Sequence, residues 1–246
     1  MFKTMTCAMQ KPISIFKTIL DVILPPVCYV CGTPCSGKYG LCDACLGKIK
    51  HIPPPWCGKC GRHLSNAENL CGECNSKKSY VENAWSCCYY EGIIKECIHL
   101  FKYRGYLGLA DIFKDIMSDF IRKNEINKEI DLIVPIPVYP TKKRERTYNH
   151  AEILARSVSK SFAIPLDTRN LKKILWTRSQ SELDREKRLK NVKDSFLAVD
   201  KMAFAGKNVL IVDDVYTTGA TINECAKVLL NSRADKVFSL TLARGL

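Results

Sequence analysis

The 246-residue sequence lacks any run of about 18 uncharged apolar residues, the length that a membrane-spanning helix requires. It also lacks a low-complexity tract. The N-terminus does not resemble a secretory signal peptide. The apolar segment that follows Met1–Gln10 contains Lys17 and Asp21, and it ends at Pro25-Pro26 without a small-residue cleavage site. We therefore expect no membrane span and a cytoplasmic location.

Cysteine, by contrast, is abundant and unevenly distributed. All but one of the 14 cysteines precede Ile98. A secreted disulfide scaffold would also be rich in cysteine. However, eight of them form Cys-x-x-Cys pairs, a spacing that favours metal-bound thiolates in a reducing compartment. The predicted zinc ligands are Cys28, Cys31, Cys42, Cys45, Cys57, Cys60, Cys71 and Cys74.

These pairs form an internal repeat. Residues 28–45 and 57–74 each read C-x2-C-x10-C-x2-C, offset by 29 positions. Two such pairs supply the four thiolates of a tetrahedral zinc site, so the sequence predicts two zinc ions. Whether each repeat binds its own ion or the pairs interleave stays open. The other cysteines fit no ligand spacing and are predicted to be small buried hydrophobes: Cys7, Cys35, Cys87, Cys88, Cys97 and Cys225.

Positive charge dominates one part of the chain. The formal net charge is +13. Residues 141–193 contain 15 Lys and Arg against 6 Asp and Glu, so much of the excess lies in these 53 residues. The positive electrostatic potential of such a segment favours phosphorylated ligands or nucleic acid.

The apolar pattern predicts three parts: an amphipathic N-terminal helix in 1–26, a double zinc-binding module at 27–80 and an α/β domain at 81–246. The helix, Ile13–Leu24, is expected to pack on the zinc module, with a membrane-surface role as the alternative. Strands alternating with helices indicate a parallel sheet. Predicted strands are 84–90, 131–138, 209–212 and 236–242, and predicted helices are 92–103, 107–121, 151–161 and 219–230.

The clearest functional pattern is KNVLIVDDVYTTGAT at 207–221, an apolar strand followed by two carboxylates, a hydroxyl- and glycine-rich loop and a helix. The amides of a helix start bind phosphate. Asp213 and Asp214 would accept hydrogen bonds from two ribose hydroxyls or hold magnesium. The predicted phosphate-binding residues are Thr217, Thr218, Gly219, Ala220 and Thr221. A P-loop NTPase is excluded, since its only near match, Gly32–Lys38, ends in Tyr39 within a cysteine repeat.

This stretch resembles the 5-phosphoribosyl-1-pyrophosphate (PRPP) motif of type I phosphoribosyltransferases. The chain from Leu24 onward resembles the ComF-type competence proteins. The matching segments are LPPVCYVCG at 24–32, KYRGYLGLA at 102–110, IVPIPV at 133–138, RERTYNHAEILAR at 144–156, QSELDREKRLKNVKDSF at 180–196 and VDDVYTTGATINECAKVL at 212–229. The resemblance implies an α/β fold of the type I phosphoribosyltransferase kind, with a parallel-sheet core, preceded by a small cysteine-rich zinc-ribbon module.

The resemblance also implies roles for individual residues. Asp213 and Asp214 would serve the reacting ribose. The pyrophosphate loop would contain Lys142, Lys143, Arg144 and Arg146, and a hood over the substrate at 177–188 would contain Arg178, Gln180 and Arg185. Thr217 stands where purine-salvage members have an aspartate base, and a hydroxyl cannot act as a base at neutral pH. Deprotonation of a purine is therefore not expected of this loop.

Three functional hypotheses follow. The first is a protein of DNA uptake in natural transformation that binds PRPP with magnesium, and binds single-stranded DNA through its basic surface and zinc module. Proteins of the uptake apparatus are its candidate partners, and Tyr139, Tyr148, His150 and Trp176 are candidates for stacking on bases. The second is an active phosphoribosyltransferase with an unidentified small-molecule acceptor. The third is a binding protein that keeps this fold without turnover.

Overall fold

The computed structural model describes residues 26–35, 37, 39–66, 68–139, 148–175 and 192–245. The chain divides into two units, residues 1–47 and residues 48–246. The first cysteine repeat therefore lies in the smaller unit, and the second lies in the larger unit together with the α/β elements. The domain bounds derived from the sequence remain a prediction.

The smaller unit is organised around a tight turn at its first cysteine pair. The amide of Cys28 donates to the carbonyl of Thr33 at 2.8 Å, and the amide of Gly32 donates to the carbonyl of Cys28 at 2.9 Å. Gly32 has a φ of 72°, a conformation that favours glycine. In the second cysteine pair, Cys42 is the N-cap of helix α1, Asp43–Leu46, and Cys45 lies within that helix.

The second repeat has the same local structure. The amide of Cys57 donates to the carbonyl of Arg62 at 2.8 Å, and the amide of Gly61 donates to the carbonyl of Cys57 at 2.8 Å. Gly61 has a φ of 68°. Helix α2, Gly72–Asn75, then follows the third cysteine. The two segments, which are offset by 29 residues in sequence, therefore also repeat the same local structure.

The larger unit contains a four-stranded parallel sheet with the order β1–β6–β5–β2. The parallel sheet agrees with the sequence prediction, which gave no strand order. Its strands are β1 (Ala84–Tyr89), β2 (Leu132–Pro135), β5 (Asn208–Tyr216) and β6 (Lys236–Arg244). The strands are buried along most of their length, as is usual for parallel sheets covered on both faces. A separate antiparallel pair, β3 (Leu171–Lys173) and β4 (Phe196–Ala198), was not predicted.

Four long helices connect and cover the strands: α3 (Gly92–Tyr103), α4 (Leu109–Lys123), α5 (His150–Phe162) and α6 (Ala220–Asn231). Each corresponds to a predicted helix within two residues at either end. Short 3-10 turns occur at Ile126–Lys128 and Lys201–Phe204. None of the helices in the described ranges is both long and apolar enough to cross a membrane. The predicted helix at 13–24 lies outside the described residues.

The second cysteine repeat is packed into the core of the larger unit. Cys57, Cys60 and Leu64 belong to the same buried cluster as Ile211 of β5 and Leu229 of α6. Backbone contacts join the repeat to the sheet as well. The amide of Ala84 donates to the carbonyl of Gly58 at 2.6 Å. A Cβ atom at position 61 would lie 3.1 Å from the carbonyl oxygen of Ala84, and the φ of 68° also disfavours a side chain, so this close contact favours glycine.

Candidate functional site

Each cysteine repeat brings its own four sulfur atoms together. Within each quartet, Cys28/Cys31/Cys42/Cys45 and Cys57/Cys60/Cys71/Cys74, all Sγ atoms lie within 4.8 Å of one another. The Sγ atoms of Cys31 and Cys42 are 3.6 Å apart, and those of Cys60 and Cys71 are 3.8 Å apart. A tetrahedron with metal–sulfur bonds of about 2.3 Å has edges of about 3.8 Å. Two tetra-thiolate zinc sites therefore fit, one per repeat, and the pairs do not interleave.

The surroundings of the second quartet also suit a metal-bound thiolate cluster. The backbone amide of Cys71 donates to Sγ of Cys57 at 3.3 Å, and Nη2 of Arg244 donates to Sγ of Cys60 at 3.5 Å. Burial, and then the charge of Cys60, raise the pKa of the Cys74 thiol. A bound zinc ion would favour the ionised form of this thiol by supplying the compensating positive charge.

Most of the cysteines outside the quartets are buried, as expected. Cys87, Cys88, Cys97 and Cys225 are at most 1% exposed. Cys35 is the exception, since it is partly exposed, and Cys7 lies outside the described residues.

The predicted phosphate loop lies between β5 and α6. Gly219 forms the N-cap of α6 with a φ of 76°, and no side chain caps the helix. The amide of Ala220 is 3.4 Å from Oγ1 of Thr218, while the amides of the first helical turn have no intrahelical acceptor. These amides and the positive end of the helix dipole favour an anion at this position. The loop residues Thr217, Thr218, Gly219 and Ala220 all line one cavity.

The side chain of Tyr216 packs against this loop at Gly219. Its hydroxyl group lies where a side chain at position 219 would be, so the loop requires glycine there. The same hydroxyl donates to the carbonyl of Lys59 in the second repeat at 3.3 Å. The guanidinium of Arg244 stacks over the Tyr216 ring at 5.2 Å. Tyr216 thus connects the phosphate loop, the second cysteine repeat and the end of β6.

The two carboxylates lie within β5 rather than after it, because the strand continues to Tyr216 instead of ending at Val212. Asp214 is only 9% exposed, and its Oδ1 accepts from Nζ of Lys102 at 2.6 Å. Burial alone would lower the pKa of Lys102, but the charge of Asp214 more than offsets this and raises it. Asp213 keeps some exposure, yet loss of solvent, and then repulsion from Asp214, raise its pKa to about 7.

The structure thus brings together the predicted carboxylates and loop residues at one edge of the sheet. Thr221 is partly exposed in the first turn of α6. The predicted pyrophosphate-loop residues Lys142, Lys143, Arg144 and Arg146 lie outside the described residues. So do the hood residues Arg178, Gln180 and Arg185.

One of the aromatic candidates for DNA stacking is not accessible. His150 is 3% exposed at the start of α5, where its ring contacts those of Phe101 and Tyr148 at 5.1 and 5.0 Å. It therefore belongs to the core and is not placed to stack on a base. Tyr139 and Tyr148 are partly exposed, and Trp176 lies outside the described residues.

Comparison with known proteins agrees with this geometry. Residues 19–75 match the double zinc ribbon domain, and residues 150–246 match the phosphoribosyl transferase domain. Competence protein F of Haemophilus influenzae is 30% identical over 152 residues, which are 60% of this chain and 66% of that protein. The chain belongs to the ComF-type phosphoribosyltransferase family. The fold class predicted from the sequence is therefore confirmed.

Two further relatives are similar to the chain. Competence protein ComFC of Bacillus subtilis is 31% identical over 157 residues, 63% of this chain and 62% of that protein. DNA utilization protein YhgH of Escherichia coli is 30% identical over 116 residues, 47% of this chain and 50% of that protein. Each of these three relatives is thus matched over 66% or less of its own length.

Sequence reasoning missed two basic residues, Lys102 and Arg244, that the structure places beside Asp214 and Tyr216. Lys102 begins the segment KYRGYLGLA and pairs with Asp214 across 112 positions of sequence. The sequence feature that could have identified Lys102 is its place in this segment, which matches the ComF-type family but had no role assigned to it. Arg244 gave no signal at all. It is the last residue of β6, and only the pairing of Arg244 with Tyr216 brings it to the loop.

The two quartets predict two zinc ions per chain with different consequences for stability. Cys71→Ser should reduce the zinc content to one and lower the thermal midpoint of the larger unit, because this quartet packs into its core. All three tryptophans lie in residues 48–246, so tryptophan fluorescence reports that unit. Cys31→Ser should also remove one zinc ion but leave the fluorescence transition unchanged. Cys35→Ser is the control, and equal transitions for Cys71→Ser and wild type would contradict the assignment.

The raised pKa of Asp213 predicts a pH-dependent stability. Its folded pKa of about 7 exceeds the unfolded value of about 3.9, so ionisation of Asp213 destabilises the folded protein increasingly as pH rises between these values. Asp213→Asn should therefore raise the thermal midpoint of the ligand-free protein, and by more at pH 8 than at pH 5. Asp111→Asn, an exposed acid on α4, is the control. If Asp213→Asn raised the thermal midpoint equally at both pH values, ionisation of Asp213 would not be the cause of the pH dependence.

Proposed function

We propose that this protein acts in DNA uptake during natural transformation, binding PRPP with magnesium at the β5–α6 junction and single-stranded DNA on its basic surface. The proposal rests above all on this junction. Two acids near the carboxyl end of a buried strand, a glycine-capped loop and the start of a 12-residue helix together supply acceptors for hydroxyl groups and donors for phosphate.

Each group at the junction would have a separate task. The amides at the start of α6 and the hydroxyls of Thr217 and Thr218 would bind the 5′-phosphate. Asp213 and Asp214 would accept hydrogen bonds from the ribose hydroxyls and would be the residues that hold magnesium, whose chemistry is to neutralise pyrophosphate charge. Because Lys102 already pairs with Asp214 at 2.6 Å, a ligand that engages this carboxylate must share it with the ammonium group or displace it.

The DNA part of the proposal draws on charge and on the relatives. The net charge of +13 favours a polyanion, and its concentration in residues 141–193 favours a localised contact. Competence protein F and ComFC carry competence in their names, and YhgH is named a DNA utilization protein. A role alongside proteins of the uptake apparatus in the cytoplasm would suit the tetra-thiolate sites, since thiols stay reduced there.

Binding of PRPP should stabilise the protein through the two carboxylates. With magnesium present, PRPP at about 100 times its dissociation constant should stabilise the folded state by about 2.7 kcal/mol, measured as a rise in thermal midpoint. The double variant Asp213→Asn/Asp214→Asn should lose most of this rise. Asp119→Asn, an exposed acid on α4, should retain it. A wild-type protein that PRPP with magnesium does not stabilise would refute this half of the proposal.

Single-stranded DNA should bind in a strongly salt-dependent manner. Each phosphate contact contributes about −0.7 to the slope of log affinity against log salt for single strands. Replacing Lys142, Lys143 and Arg144 together by Gln should therefore make the slope less negative by about 2, as measured by fluorescence anisotropy of a labelled oligothymidylate at several salt concentrations. Lys95→Gln, an exposed lysine on α3, should leave the slope unchanged. Affinity that does not change with salt would contradict DNA binding through the backbone.

A further inference from the structure

A cavity of about 510 Å³ continues beyond the phosphate loop toward the second cysteine repeat. The loop forms one wall, and residues 59–79 of the repeat contribute another. Within the part of the chain that the structure describes, neither Asp213 nor Asp214 lines it. This volume lies in the range of about 300–1,000 Å³ typical of ligand sites and far exceeds the needs of a single phosphate group. The cavity is therefore additional to the ribose site.

A buried arginine with a free donor lines this cavity. Arg244 is only 8% exposed. Its Nη1 donates to the carbonyl of Gly245 at 2.6 Å and its Nη2 donates to Sγ of Cys60 at 3.5 Å. Its Nε is buried and has no hydrogen-bond partner among the described residues. A buried donor without an acceptor destabilises the folded protein, and more so on a charged group. An anionic acceptor in the cavity would supply the hydrogen bond that Nε lacks.

The rest of the wall is also cationic. Lys59, Arg62, Lys77 and Lys78 line the cavity, whereas Glu73 is the one acidic residue among the described residues that line it. Glu73 pairs with Arg62 at 3.1 Å and with Lys77 at 3.6 Å, and the ammonium group of Lys78 lies 5.0 Å from the centroid of the Tyr80 ring. Lys59 is then the lining lysine with no ion pair or ring contact among the described residues. Zinc in the second quartet would offset half of the charge of its four thiolates. The wall as a whole therefore favours a ligand with more than one negative charge.

We propose that this cavity is a second anion subsite, in which Arg244 and Lys59 bind one phosphate of a nucleic-acid strand while the loop at the start of α6 binds a neighbouring phosphate. The inference rests on the proposed function, and it assigns the single-stranded DNA of that function to this cavity and the adjoining loop. The phosphate loop would then be shared by two ligands, since PRPP uses it for its 5′-phosphate. PRPP and single-stranded DNA must therefore exclude each other.

The test combines competition with two cavity variants of the full chain. A fluorescent oligothymidylate is titrated with protein at several salt concentrations, with and without saturating PRPP and magnesium. PRPP should displace the oligonucleotide. Arg244→Lys should weaken oligonucleotide binding by roughly tenfold, because it removes a charge-assisted hydrogen bond. Lys59→Gln should weaken it and make the salt slope less negative by about 0.7. PRPP affinity should change less than twofold in Lys59→Gln, and Lys95→Gln should leave both ligands unaffected.

The outcomes separate this inference from the function on which it rests. If the protein binds PRPP and the oligonucleotide at the same time, the shared loop is wrong although the proposed function stands. If they compete but Lys59→Gln binds the oligonucleotide with wild-type affinity and salt slope, the cavity is not the second subsite. If neither ligand binds to wild-type protein, the proposed function fails and the inference fails with it. Lys59→Gln keeps the test valid should Arg244→Lys disturb folding, since the Lys59 contact to Tyr216 uses only its backbone.

Discussion

The parallel pairing of β5 with β6 is the constraint on which the site depends. Its register places Tyr216 opposite Arg244 at the carboxyl ends of the two strands. A shift of one residue would turn every side chain of a strand to the opposite face of the sheet. Tyr216 could then no longer lie beneath Gly219, and Arg244 could no longer reach Cys60. The geometry of the phosphate loop and the contact with the second cysteine repeat are thus fixed by the same backbone hydrogen bonds.

The second repeat is better understood as part of the phosphoribosyltransferase-like unit than as an appended module. Three of its four cysteines are buried, and Cys57, Cys60 and Cys71 belong to the same core cluster as α6. Metal binding here would contribute directly to folding of the larger unit, since its ligands pack against the sheet. The first repeat has the same local hydrogen bonds but lies in the smaller unit. Identical sequence spacing therefore supports two different structural roles.

Local patterns predicted most of this fold, and their failures have physical causes. The four sheet strands and four long helices follow from apolar periodicity, and the quartets follow from cysteine spacing. The predicted strand 131–138 shortens to Leu132–Pro135. The amide of Ile136 still donates to the carbonyl of Val212, but Pro137 has no amide to continue the ladder. The predicted strand 209–212 extends to Tyr216 because β6 pairs with it beyond the carboxylates. Lys102 and Arg244 reach the site only through tertiary contacts, which no local pattern encodes.

The carboxylates and their neighbours show how the proposed PRPP site is balanced by charge partners within the protein. Asp213 and Asp214 are adjacent acids with little solvent, an arrangement that repulsion disfavours. Lys102 neutralises one of them, and proton uptake near pH 7 relieves the other. Arg244 donates a hydrogen bond to Sγ of Cys60. A ligand with hydroxyl groups, phosphate and a divalent cation would replace these internal partners with its own. Binding at this site is therefore an exchange of charge partners, so its affinity reflects the difference between two sets of contacts rather than the sum of the new ones.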